Sequence, residues 1–262
     1  MTTSYEALLV DLVAEHDALA AVVAGLGPDQ LLAATPADGW DVRDTLAHLA
    51  GFDEAATSAL VDPDAFRAEV ERVFAEGDDP IVAYTSRGRS MDPAAVVTWW
   101  RDAREALVAA AAAADPKIRV PWYGPAMSAM SFMTARLMET WAHGIDVLDA
   151  VGAPIVGSSR LRHVAHIGVG ARRYSYGARG LEMPETPVAV VLSAPDATSW
   201  TWGDPDAPSR VEGSAVDFCL VVTQRRHLDD TSLTVVGDAA IEWMSIAQAF
   251  AGGPTDGRAP LT

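Results

Sequence analysis

Glu139 and His143 stand four residues apart, and Asp146 follows three later, in Glu139-Thr140-Trp141-Ala142-His143-Gly144-Ile145-Asp146. On a helix, residues four apart lie one turn apart on the same face. The segment therefore sets a carboxylate beside an imidazole, with a second carboxylate one turn on. Far earlier, His48 sits in Leu46-Ala47-His48-Leu49, flanked by leucines of an apolar stripe. That places it at the inward side of its own helix, with Asp44 one turn before it. If the two helices are neighbours, His48, Glu139 and His143 form a set of two imidazoles and one carboxylate. Such a set suits zinc first, and nickel or iron(II) as alternatives. Three protein ligands leave open positions for water or substrate, as a catalytic site does. By itself, Glu-x-x-x-His also describes a surface ion pair, and a lone His48 also describes a packed core residue.

Those residues need helices to carry them, and the first 150 residues read as helical. Leu8, Leu9, Leu12, Val13, Leu19, Val22 and Val23 recur at helical spacing between residues 4 and 25, and Gly27-Pro28 stops them. Asp41, with Asp44 three residues on, opens a helix running from Val42 to Leu60. Further helices are predicted over residues 65–75, from Asp92-Pro93 to Ala114, and over 128–151 with Gly152 as its stop. Arg87-Gly88-Arg89-Ser90 and Pro121-Trp122-Tyr123-Gly124-Pro125 read as loops. Composition changes near Pro154. One helix is predicted over 158–178, strands over 187–192, 199–202 and 232–236, and helices from Gly213 to Arg226 and from Asp238 to Phe250. The glycine-rich tail, 252–257, reads as flexible. The domains so delimited are a helical bundle over 1–153, a connecting helix over 154–180 and a small α+β domain over 181–262.

The stretch Gly39-Trp40-Asp41-Val42-Arg43-Asp44-Thr45-Leu46-Ala47-His48-Leu49 resembles the helix opening of DinB-like metalloproteins. More closely it resembles the metal-binding domain of the mycothiol-dependent maleylpyruvate isomerase family. There a Trp-[Ser/Thr/Asp]-x-x-[Asp/Glu]-x-x-x-His-Leu stretch supplies the first metal histidine, which falls on His48. The later Glu-x-x-x-His-x-x-Asp is matched by Glu139, His143 and Asp146. The resemblance implies a four-helix bundle with one divalent metal ion between helices, held by His48, Glu139 and His143. It implies mycothiol, a low-molecular-weight thiol, as co-substrate. The stretch Gly213–Arg226 with Leu233–Asp238 resembles that family's C-terminal domain, which is sterol-carrier-like. The expected activity is a metal-dependent thiol transferase or isomerase acting on a small electrophile. The alternatives are a thiol-independent metalloenzyme (hydrolase, isomerase or cyclase) and a non-catalytic metal- or ligand-binding protein.

Other residues enter in supporting roles. Asp146 and Asp44 are candidates for orienting His143 and His48 from behind. Arg87, Arg89, Arg225 and Arg226 are candidates for holding a substrate carboxylate. Trp122 and Tyr123 are candidates for a pocket wall. His163 and His166 read as structural. Cys219, inside Phe218-Cys219-Leu220-Val221-Val222, reads as a small buried hydrophobe, and no disulfide can form within a chain with one cysteine. With 36 acidic against 19 basic residues, formally −17, the chain lacks the basic footprint of a nucleic-acid or anionic-membrane binder. No signal peptide or membrane span is predicted. The expectation is a cytoplasmic monomer or homodimer with a small-molecule substrate.

Overall fold

The computed structural model describes residues 4–261. The chain divides into two compact units, Met1–Ile155 and Val156–Thr262. The first contains α1 (Tyr5–Val23), α2 (Pro28–Leu31), α3 (Val42–Val61), α4 (Pro63–Glu76), α5 (Pro80–Arg89), α6 (Pro93–Ala113), β1 (Arg119–Val120), β2 (Met127–Ser128) and α7 (Ala129–Val151). Three Asp-Pro pairs explain much of this punctuation. Asp62, Asp79 and Asp92 are N-caps whose carboxylates accept backbone N–H groups, and Pro63, Pro80 and Pro93 each occupy the first helical turn. Proline's fixed φ and missing N–H suit that position. Ser128 caps α7 in the same way, and Gly152 ends it in the left-handed conformation.

The long helices α1, α3, α6 and α7 pack into a four-helix bundle, with α4 and α5 laid against α3. Its core joins Leu19 and Val23 of α1, Leu46, Leu49 and Ala50 of α3, Val96, Trp99 and Trp100 of α6, and Val147 of α7. Each large apolar side chain so buried contributes roughly 1.5–3 kcal/mol relative to exposure. This is the expected helical bundle. One local expectation fails: Arg87-Gly88-Arg89 is the last turn of α5, not a loop. Gly88 reads as a breaker, but here it is a contact point. A Cβ on it would lie 2.4 Å from Ala47 Cβ, so its missing side chain lets α5 approach α3. Gly51 does the same from the α3 side, where a Cβ would fall 2.2 Å from the Tyr84 ring.

The second unit contains α8 (Leu161–Gly170), α9 (Arg172–Gly177), β3 (Val188–Ser193), β4 (Ser199–Trp202), β5 (Ser209–Ser214), α10 (Ala215–Val222), β6 (Thr234–Val236) and α11 (Asp238–Ile246). The sheet order is β4-β3-β5-β6. β3 pairs antiparallel with β4 and parallel with β5, with Val190 opposite Val211, and β6 pairs antiparallel with β5. The α+β class holds, with three differences. Residues 158–178 form two helices that meet at Ala171, not one. The strand β5 was not foreseen, because Ser209-Arg210-Val211-Glu212-Gly213-Ser214 carries a single large apolar residue. Its central place in the sheet, not its composition, makes it a strand, so α10 starts at Ala215 rather than Gly213. The tail is held, not loose: Gly252 N donates to Tyr174 Oη, Gln248 Nε2 donates to the Gly253 carbonyl, and Leu261 N donates to Asp230.

Candidate metal centre

His48 on α3 and Glu139 and His143 on α7 converge at one point in the bundle. His48 Nε2 lies 3.7 Å from Glu139 Oε2, and His143 Nε2 lies 3.5 Å from the same oxygen. The two imidazole centroids are 4.4 Å apart. One donor atom from each of the three residues lies within 4.8 Å of the others.

Two devices set this geometry. Asp41 and Asp44 form a reciprocal capping box that fixes the start of α3, one turn before His48. Deeper in the bundle, Arg136 of α7 donates to Asp53 of α3 from Nη2 at 2.8 Å and from Nε at 3.2 Å. Both side chains are almost wholly buried. Asp53 is five residues past His48 and Arg136 three before Glu139, so the pair pins the two helices beside the cluster.

The donor set fits a divalent cation. Bonds of about 2.0–2.2 Å arranged tetrahedrally place donor atoms about 3.4 Å apart, close to the 3.7 and 3.5 Å that separate the two imidazole nitrogens from Glu139 Oε2. Both ring nitrogens of His48 are buried, and neither has a hydrogen-bond partner. A buried polar group left unpaired costs about 1–3 kcal/mol, and a cation at the cluster would satisfy one of the two. His143 is oriented from behind, its Nδ1 lying 3.2 Å from Asp146 Oδ2, and Asp146 is itself buried. An ionised Asp146 can only accept a hydrogen bond from Nδ1–H, and the tautomer it favours is the one that turns a free Nε2 lone pair to the cluster.

The electrostatics agree with that reading. Burial pulls the His48 imidazole down to about 4, with His143 adding to the effect and Glu139 opposing it. Burial would raise the Glu139 carboxyl, but His143, His48 and Arg136 together hold it well below the usual carboxylate range. At neutral pH the cluster thus offers a neutral imidazole and a carboxylate, the forms that bind metals.

Aromatic rings surround the cluster. Trp40 stacks on His143 with 6.0 Å between centroids and tilts against His48 at 5.1 Å. Phe52 also packs on the His48 ring, 4.7 Å between centroids. Trp122 and Tyr123 are 6.0 and 5.8 Å from Phe52, so the loop aromatics adjoin the cluster through that ring.

The remaining candidates fare differently. Asp44 does not reach behind His48. Its carboxylate accepts from the Asp41 N–H and, at 2.8 and 2.9 Å, from Arg89. Arg89 is thereby spent on a helix-capping residue, and Arg87 pairs with Glu54 while lying 3.8 Å over the Trp99 ring. Arg225 and Arg226 lie in the second unit just past α10, where their Nη1 atoms donate to the carbonyls of Thr223 and Arg225. Cys219 is fully buried, and burial pushes its thiol well above the ordinary value. The Asp53–Arg136 pair was not foreseen. Its signal was present, since a carboxylate and a guanidinium on core-facing flanks of two helices need each other, but sequence alone does not say which helices touch. The same holds for Trp40 and Tyr84, which lie far from His143 and Tyr123 in the chain.

A sequence profile of the mycothiol maleylpyruvate isomerase N-terminal domain matches residues 12–148, more than half of the chain. Two uncharacterised Mycobacterium tuberculosis proteins, from strains H37Rv and CDC 1551 / Oshkosh, are each 41% identical over 250 residues, which is 95% of this chain and 97% of theirs. Crystal structures of the mycothiol-dependent maleylpyruvate isomerase and of a histidine-to-alanine mutant of it superpose with a TM-score of 0.60 at 16% identity, over 90% of this chain and 95% of theirs. At that identity the likeness is one of fold. By the profile match, and in keeping with the fold, the chain belongs to the family of the mycothiol maleylpyruvate isomerase N-terminal domain.

Proposed function

We propose that the protein is a metal-dependent enzyme that brings a low-molecular-weight thiol, mycothiol or a close analogue, to a small electrophile, as a thiol transferase or isomerase. The observation that carries the reading is the cluster of His48, Glu139 and His143, with a buried imidazole whose two nitrogens make no hydrogen bond in the protein. His48, Glu139 and His143 would hold the ion, zinc before nickel or iron(II). When bound there, a divalent cation with open positions polarises a carbonyl and favours the thiolate form of a thiol.

The chain's own residues supply the rest. Asp146 keeps the Nδ1 proton of His143 and so fixes its tautomer. Trp40 covers the two imidazoles and keeps water from that flank. Asp53 and Arg136 keep α3 and α7 in register. The one cysteine is too buried to act as the nucleophile, so the attacking sulfur comes with the co-substrate. Its thiolate forms a C–S bond at the electrophilic carbon, and the displaced electron pair moves onto the conjugated carbonyl oxygen. In a transfer, that enolate takes a proton at carbon. In an isomerisation, the former double bond turns, the C–S bond breaks and the thiol leaves unchanged. A cytoplasmic location fits a thiol co-substrate, and among the described residues no helix is long and apolar enough to cross a membrane.

The test is turnover of a panel of conjugated carbonyl compounds with and without thiol, in metal-loaded and chelator-treated enzyme. The expected result is product formation that needs both. Turnover that needs the metal but not the thiol would replace this reading with direct hydrolysis or isomerisation. Turnover indifferent to chelation would end it.

A further inference from the structure

Given that reading, we infer that the substrate is an uncharged electrophile with a flat aromatic or conjugated body, held against the wall formed by Phe52, Tyr84, Trp122 and Tyr123. The wall begins at the cluster, since Phe52 packs 4.7 Å from His48. It continues without a break: Phe52 meets the edge of Tyr84 at 5.2 Å and of Tyr123 at 5.8 Å, and Trp122 meets Tyr123 at 5.0 Å. Behind it, Phe66 stacks on Trp122 at 5.6 Å with 9° between the planes, and Phe132 closes on the same indole at 4.8 Å. Phe66 and Phe132 are buried, whereas all four wall residues keep part of their surface exposed. The wall is thus a backed cluster of partly exposed rings beside the donor atoms, and aromatic rings hold flat π-systems by offset or edge-on packing.

The polar groups of the wall select for a neutral molecule. Tyr84 Oη and Tyr123 Oη are 3.2 Å apart. One donates to the other, so one hydroxyl proton of the pair is left to donate to a carbonyl oxygen. Burial raises both phenols above their ordinary value, so both remain protonated donors. The arginines on the neighbouring helices are engaged elsewhere: Arg67 with Asp64, Arg72 with Glu69, Arg87 with Glu54, Arg89 with Asp44 and Arg136 with Asp53. A dicarboxylate approaching this face would lose its hydration and meet no uncommitted guanidinium from α5 or from that stretch of α7. The wall is also built by sequence, because only a glycine at Gly51 admits the Tyr84 ring.

The test is calorimetric titration with benzylideneacetone, a neutral aryl enone, and with fumarate, a flat dianion. Both are titrated into metal-loaded wild type and into His48→Ala, which separates the wall from the metal. The enone is expected to bind both proteins with similar affinity, and fumarate about tenfold or more weaker to His48→Ala. Trp122→Leu should weaken the enone about tenfold, and Tyr84→Phe, which keeps the ring and the fold, should weaken it severalfold. Fumarate binding His48→Ala as tightly as the enone does, or no enone binding to either protein, would overturn the inference. So would unchanged enone affinity in folded Trp122→Leu and Tyr84→Phe. Enone binding without thiol-dependent turnover would sink the proposed function and leave the wall standing. Thiol-dependent turnover of dianions, indifferent to the wall variants, would do the reverse.

Discussion

The proposed role of His48 as a ligand rests on a buried ring whose nitrogens are left without hydrogen bonds. Burial holds its ring neutral down to about pH 4, and neither nitrogen makes a hydrogen bond within the protein. His143 is prepared in a different way, by the carboxylate of Asp146 behind it. Asp146→Asn keeps the shape but offers a weaker acceptor and an ambiguous tautomer. It should therefore lower metal affinity about 10–100-fold, read by competition with a chromogenic chelator. Unchanged affinity would mean that Asp146 only fills space. The shared face of Glu139, His143 and Asp146 was legible from spacing, because helical periodicity turns i,i+3 and i,i+4 into shared faces, whereas His48 was joined to it only by the family resemblance. Asp44 shows the limit of that logic. Its spacing from His48 matched that of Asp146 from His143 in kind, but its place at a helix start gave its carboxylate to a cap and to Arg89.

At the level of elements, α3 and α7 are joined by charge and α3 and α5 by the absence of side chains. Asp53→Ala would strand the Arg136 guanidinium in the core, a loss of about 3–5 kcal/mol in urea unfolding. The double variant Asp53→Leu/Arg136→Met should recover much of that, because no buried charge is left without a partner. Equal loss in both would show that the pair stabilises on balance. Gly88→Ala sets helix propensity, which gains about 1 kcal/mol, against a Cβ 2.4 Å from Ala47. Overpacking there should win, for a net loss of about 1–2 kcal/mol, and an unchanged unfolding midpoint would contradict the close packing. Helices with caps and periodic apolar residues were readable from sequence. Gly88 in α5 and the strand β5 were not, since a glycine's role depends on what packs against it and a central strand's on its neighbours.

Over the whole molecule, 36 acidic residues face 19 basic ones, and stability depends on how the fold treats its few buried ionisable groups. His16 is buried in the first unit, and burial, with Arg104 and Arg136 adding, pulls its imidazole down to about 3 from 6.5. The fold thus prefers the neutral ring, while the unfolded chain takes up a proton below pH 6.5. The contribution of His16 is fully present above that pH and is lost progressively as pH falls toward 3. Urea unfolding of wild type and His16→Gln at a series of pH values should give a steeper decline for wild type over that window. Parallel curves would contradict it. The change of composition near Pro154 was visible in the sequence and lies close to where the two units divide, whereas the sheet order was not, because pairing partners are not encoded locally.

The most direct test of the metal centre is elemental analysis of purified protein prepared without chelator, comparing wild type with His48→Ala and His143→Ala. About one equivalent of a divalent metal in wild type, lost in both folded variants, is the expected result. Wild type that carries no metal and cannot be loaded, or variants that retain it in full, would contradict the assignment of His48, Glu139 and His143 as its ligands.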